Sequence, residues 1–167
     1  VRCNRLLKDS KRWSTVNLGE AGAEANIKAL NWANGIGERI LVFNATIPTV
    51  KNNVDICLFS SNIDDYDPKT LVRHDERALM FGELKGGIDP AGADEHWKTG
   101  NTALNRIRTS FAAAGYPQMK TSFVGAAIER AMAEEIYAQL KSGTLTNATN
   151  LTNNNQLIEY CNWLIEL

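Results

Sequence analysis

Apolar residues recur along this chain of 167 residues in two rhythms, one near three and a half residues and one of two. The helical rhythm is expected first in "NLGEAGAEANIKALNWAN". Asn17 reads as its N-cap, Glu20 lies in its first turn, Ile27 and Leu30 (with Ala23 and Ala33) form its apolar stripe, and "NGIG" ends it. Strand rhythm then takes over. "ERILVFNATI" reads as a buried strand closed by Pro48. "NNVDICLFS" places Val54, Ile56 and Leu58 on one face and Asp55, Cys57 and Phe59 on the other. After the turn-rich "NIDDYDPKT", "RALMFGELKGG" predicts a third strand, with Leu79, Phe81, Glu83 and Lys85 on one face and Met80 and Leu84 opposite.

The second half alternates. "GGIDPAGA" reads as a loop, and "DEHWKTGNTALNRIRTSFAAAG" as a helix from about Asp94 to Ala114, strained near Gly100. "KTSFVGAAI" reads as a fourth strand, and "ERAMAEEIYAQLKSG" as an amphipathic helix with Gly143 at its C-cap. "TLTNATNLTNNN" predicts a polar loop without internal structure. "QLIEYCNWLIEL" predicts a terminal helix with Leu157, Tyr160, Cys161 and Leu164 on its core stripe. With no repeat and no linker, residues 1–167 read as one domain, an α/β sandwich around a mixed sheet.

Composition adds boundaries. An apolar share of 44% with 22% charged residues excludes a disordered or fibrous chain. No apolar run nears the roughly 20 residues that cross a bilayer, and no secretory signal is visible. The opening "VRCNRLL", without Met, predicts a piece of a longer chain. Cys3, Cys57 and Cys161 have no metal spacing and predict a reducing, cytoplasmic setting, where the Asn44, Asn147 and Asn150 glycosylation triplets mean little.

Net charge is −1, but its distribution is uneven. Arg2, Arg5, Lys8, Lys11 and Arg12 crowd the start against Asp9 alone, and no acid falls between Trp97 and Ile128. A basic face beside an acidic pocket suits DNA with metal ions; two solvated faces explain the same numbers.

The chemistry concentrates on two strands. Asp55 interrupts an apolar run, where a carboxylate has to be paired or ligated. Glu83 and Lys85 share a face of the next strand. Two bare carboxylates some 4 Å apart repel by about 4 kcal/mol at an effective dielectric of 20, so such a pair calls for a cation or a proton. Mg²⁺ uses one or two carboxylates plus waters and substrate oxygens, and the Leu84 carbonyl is a further hard donor. Lys85 is placed to orient water or to stabilise charge on phosphoryl oxygens. Taken alone, Glu83 and Lys85 read better as a solvated strand face; Asp55 is what shifts the balance.

Imidazole as a group titrates near neutrality, and His96, in a helix's first turn, would be a competent base, although lone histidines are more often structural. His74 reads as surface, and Glu20 and Glu24 as an exposed helix face. Asp89 can accept from a cytosine amino group or merely open a turn. Arg106 and Arg108 are candidate phosphate contacts that do not share one helix face. Trp97 and Trp163 read as packing.

Asp55 in "NVDICLF", Glu83 and Lys85 in "GELKGG" and His96 in "ADEHWKT" together resemble the AvaI/BsoBI-type restriction endonucleases, a branch of the PD-(D/E)XK nucleases. The likeness is strongest from Asn53 to Arg108. It implies a restriction-endonuclease-like core, a mixed central sheet flanked by helices. It also implies Mg²⁺-dependent hydrolysis of double-stranded DNA at a CYCGRG-like palindrome by a homodimer. Asp55 and Glu83 would bind metal, Lys85 would orient or stabilise, His96 would act as general base or its assistant, and Asp89 would read a base. Val54 stands where the family's proline precedes the first acid. Family enzymes are about twice as long, so the likeness implies a C-terminal catalytic part lacking an N-terminal helical portion. Two other readings stay open: a superfamily nuclease without sequence specificity, and a non-catalytic DNA-binding module.

Overall fold

The computed structural model describes the whole chain except residues 1, 11, 18, 20, 21, 23, 88, 89 and 127, and except the side chains of residues 90, 91 and 93. The chain divides into two compact units, Val1–Leu79 and Met80–Leu167.

The first unit is an antiparallel meander with one rearrangement. Its strands are β1 (Cys3–Leu7), β2 (Trp13–Thr15), β3 (Ile27–Ala33), β4 (Glu38–Ile47) and β5 (Asn52–Ser60), in the order β2-β1-β3-β4-β5. The helix expected after Asn17 is not formed. Gly19, Gly22 and Asn26 have φ of 82, 71 and 56°, left-handed values that no α-helix accommodates. The chain then enters β3, which pairs with β1 on one side and β4 on the other. A strand inserted between two others takes its hydrogen bonds from both, and that outweighs local helix preference. Glu20 lies outside the described residues, and Glu24 is exposed in a turn.

β1 and β2 were not expected. They are short, and charged or polar residues break their alternation. Asn31, 3% exposed, ties three strands together: its Nδ2 donates to Glu38 Oε2 and to the Arg39 carbonyl, and its Oδ1 accepts from Asn4. A buried amide has to be satisfied in this way. Beyond β5 a short helix, α1 (Pro68–Leu71), is capped by Asp67, whose carboxylate accepts from the amides of Lys69 and Thr70.

The second unit alternates strand and helix: β6 (Ala78–Lys85, entered from the end of the first unit), α2 (Pro90–Ala113), β7 (Lys120–Gly125), α3 (Arg130–Ser142), β8 (Asn147–Asn150) and α4 (Asn154–Glu166). β6 pairs parallel with β7, and β7 parallel with β8. Parallel neighbours need a crossover, and α2 and α3 supply the two. β8 corrects the reading of residues 144–155 as a structureless loop. Thr146 N–H donates to the Thr121 carbonyl and Leu151 N–H to that of Gly125, so a polar segment is drawn into the ladder by its partner.

The unit's core is aromatic. Phe81 and Phe111 lie 4.9 Å apart, and Trp97 meets Phe123 edge-on at 5.0 Å. Gly143 takes the left-handed C-cap, φ 75°, as expected. On α4, Tyr160 and Leu164 are buried as expected, but Cys161 is exposed and Leu157 only half-buried. Antiparallel pairing in one unit, and parallel pairing joined by α-helices in the other, give the expected mixed α/β class. Among the described residues no helix is long and apolar enough to cross a membrane.

Candidate active site

β6 runs buried for most of its length, then surfaces. Met80, Phe81 and Glu83 are buried, Leu84 is exposed and Lys85 half-buried. Period two puts Glu83 and Lys85 on one face, and the Lys85 Nζ stands 3.4 Å from Glu83 Oε2. Glu83 is only 5% exposed, so the solvated-face reading fails for it. A buried carboxylate persists only where cations or donors compensate its lost hydration, and the neighbouring ammonium is one such group. The strand end is pinned by the Ala126 amide, which donates to the Lys85 carbonyl at 2.9 Å.

Gly86 and Gly87 follow β6, and His96 of α2 returns against Gly87. A Cβ built on Gly87 would lie 2.5 Å from His96 Nε2, and one on Gly92 would lie 3.5 Å from it. The imidazole therefore rests on the bare backbone of Gly87. One helical turn further on, a Cβ on Gly100 would meet Phe123 at 2.8 Å and the Lys85 Cε at 3.8 Å. Gly100 is thus a packing glycine, not a point of strain: α2 is continuous through it, and its missing side chain lets the helix approach β6 and β7 closely. This approach brings the Lys85 stem beside the turn of α2 that carries His96, gathering Glu83, Lys85 and His96 at the C-terminal end of β6.

Because α2 starts at Pro90 and not near Asp94, His96 is its seventh residue, beyond the first turn. The helix-dipole argument for its basicity loses most of its force there. Its neighbour Trp97 is fully buried, as expected of packing, and also donates through Nε1 to Glu135 Oε2 at 2.6 Å, joining α2 to α3. No local signal in the sequence pointed to that strut.

In the first unit, Asp55 is half-buried on β5 between Val54 and Ile56, which are 1% and 5% exposed. The flanking pairs Phe43↔Ile56 and Ala45↔Val54 set Asn44 across from it, and Asn44 has φ 53°. Left-handed backbone inside a strand is uncommon outside glycine and clusters at functional sites.

Arg106 is exposed, whereas Arg108 is half-buried and donates through Nη1 to Thr121 Oγ1 at 3.2 Å. Asp89 lies outside the described residues. His74 is on the surface, as expected, its Nδ1 2.7 Å from Glu76 Oε1. Trp163 packs at 5.5 Å from Tyr160.

Among the described residues no three His, Cys, Asp or Glu side chains converge as metal ligands. The donors on offer are carboxylates and backbone carbonyls without clustered thiolate or imidazole. They fit a hard, mostly hydrated cation such as Mg²⁺, which needs one or two carboxylates, and not zinc.

A buried glutamate, a lysine two residues on and a histidine seated against Gly87 thus stand together where β6 ends. In comparison with known proteins, residues 3–167 match the model of the restriction endonuclease BsoBI family, and the chain belongs to that family. It is 52% identical over 144 residues to the type II restriction enzyme BsoBI of Geobacillus stearothermophilus, covering 86% of this chain and 44% of that protein. It is 45% identical over 162 residues to the type II restriction enzymes AvaI of Nostoc sp. and of Anabaena variabilis, covering 97% of this chain and 51% of each. The chain therefore spans about half the length of the curated relatives it matches.

Proposed function

We propose that this chain is the catalytic part of a type II site-specific deoxyribonuclease that hydrolyses both strands of duplex DNA at a CYCGRG-like palindrome, working with Mg²⁺ as a cytoplasmic homodimer. The observation that carries the reading is the buried Glu83, with Lys85 at 3.4 Å and His96 resting on Gly87 beside them. Membership of a restriction endonuclease family supports it.

Glu83 and Asp55 are the proposed metal-binding carboxylates. Mg²⁺, when bound, would polarise the scissile phosphate and acidify a water. Lys85 holds a positive charge where negative charge grows on the phosphoryl oxygens, and orients the attacking water. His96 takes the proton from that water, directly or through a second one, because its ring is held against Gly87 beside Lys85. Asp89 is the proposed reader of a cytosine amino group, and the exposed Arg106 the proposed backbone contact. The whole chain acts as one catalytic domain in this reading.

The test is cleavage of a plasmid carrying CYCGRG sites by the full-length natural protein with Mg²⁺, with the product ends sequenced. Discrete fragments ending within that palindrome are expected. A smear would return the protein to nucleases without sequence specificity, and binding without cutting at any divalent-ion concentration would make it a DNA-binding module. Asp55→Ala should abolish cutting and leave the fold intact.

A further inference from the structure

The second unit contains a polar cavity far from the candidate active site. It has a volume of about 380 Å³ and is lined by Asn101, Thr102, Asn105 and Arg108 of α2, Gln139 of α3 and Thr144 beyond it. Asn101, Asn105 and Arg108 recur at four and three residues and so share one helix face. Arg108 lies twelve residues after His96 on the same helix, about 18 Å along its axis. It donates to Thr121 at the start of β7, whereas Lys85 pairs with Gly125 at that strand's other end.

Every lining side chain offers a hydrogen bond, the sole formal charge is that of Arg108, and no carboxylate takes part. The guanidinium is half-buried and anchored by one hydrogen bond, from Nη1 to Thr121 Oγ1, and the Thr121 hydroxyl lies 3.4 Å from the Thr144 carbonyl. Arginine has five N–H donors, so most of its capacity is unspent. Burial pushes its pKa down with no carboxylate to offset it. A partly desolvated cation with no counter-ion among the described residues favours an anion that brings its own acceptors. Gln139 adds a second cue: its Nε2 donates to Asn101 Oδ1 at 3.0 Å, while its Oε1 is buried with no hydrogen-bond partner among the described residues.

We propose that this cavity is a phosphate-binding site, with Arg108 as the charged anchor, Asn105, Thr102 and Thr144 as hydrogen-bonding walls, and Gln139 Oε1 as acceptor for the protonated oxygen that a monophosphate, unlike a diester, can bring. The phosphate can come from a nucleic-acid backbone or from a free monophosphate. The site is independent of the cleavage reading and is tested without any cleavage measurement.

The full-length protein is titrated with inorganic phosphate, with thymidine 5′-monophosphate and with a short duplex lacking the palindrome, and affinity and melting temperature are followed. Millimolar or tighter binding of either monophosphate, lost in Arg108→Gln, supports the proposal with a free monophosphate as source. Duplex binding whose salt slope falls by about one in Arg108→Gln assigns the site to the DNA backbone. Arg108→Gln also removes the bond to Thr121, so Asn105→Asp is the second variant. It keeps that bond, sets a carboxylate three residues before the guanidinium, and should weaken phosphate binding at least tenfold in a folded protein. Unchanged monophosphate affinity and an unchanged salt slope in both variants, or no binding at all by the parent, would overturn the proposal.

Discussion

Gly87→Ala is the sharpest perturbation the site offers. The new methyl would sit 2.5 Å from His96 Nε2, about 1 Å inside the usual contact distance of roughly 3.5 Å between heavy atoms. Gly87 is not among the glycines with positive φ, so alanine suits its backbone and the conflict is purely between methyl and ring. The far end of a half-exposed side chain yields cheaply, so the melting temperature should hardly change. Catalysis should not be so tolerant. A displacement of about 1 Å in a reacting group costs on the order of a hundredfold in rate, or about 2.7 kcal/mol of barrier.

The assay is single-turnover plasmid cleavage at saturating Mg²⁺, alongside thermal unfolding. Gly92→Ala is the control: its methyl would meet the same nitrogen at an ordinary 3.5 Å, so the rate should hold while the helix gains slightly. In a His96→Ala background, Gly87→Ala should add nothing further, because both act through one ring. Wild-type cleavage by Gly87→Ala would refute the requirement that this imidazole sit where Gly87 lets it rest.

Four further outcomes are expected. Gly100→Ala should lower stability by about 1–3 kcal/mol in chemical denaturation, since its methyl meets a fully buried Phe123 ring at 2.8 Å and overpacking outweighs the helix-propensity gain. Tyr160→Phe should cost about 1 kcal/mol by breaking the buried 2.7 Å bond to Ser122, whereas Tyr66→Phe should be near neutral because that hydroxyl is buried with no partner among the described residues. Burial raises the pKa of both tyrosines, that of Tyr66 to about 12. Their contribution is therefore complete below the unfolded value of about 10 and lost as pH climbs, so both Phe variants should flatten the alkaline fall in stability. His96→Ala should lower the cleavage rate far more than DNA affinity and remove the acidic limb of the pH–rate profile; a loss confined to binding would make the histidine structural.

The second unit was largely legible in the sequence because its elements announce themselves locally. β6 is an apolar run that ends in two charges, α3 ends on its glycine, and Glu83 and Lys85 needed only period two to land on one face. The first unit was not, because its organisation is non-local. Ile27 and Leu30 mimic a helical stripe, yet the residues that β3 buries are Ala29, Asn31 and Trp32, selected by strands on either side. β8 was missed for a related reason, since "NATN" carries no strand signal of its own and is recruited by β7. At the site, the sequence named His96 but misjudged its depth in the helix. The glycines that hold it and the Trp97–Glu135 strut depend on how α2 packs, which no local pattern records.

The alternation of β6 has an evolutionary corollary. Deleting or adding one residue between Glu83 and Lys85 would throw the ammonium to the side where Leu84 now points, with no half-measure between. Spacing between these two charges can therefore change only in steps of two, while the turns ahead of the strand can lengthen or shrink by any count. Divergent descendants of this chain should show a drifting interval before the glutamate and an invariant one after it.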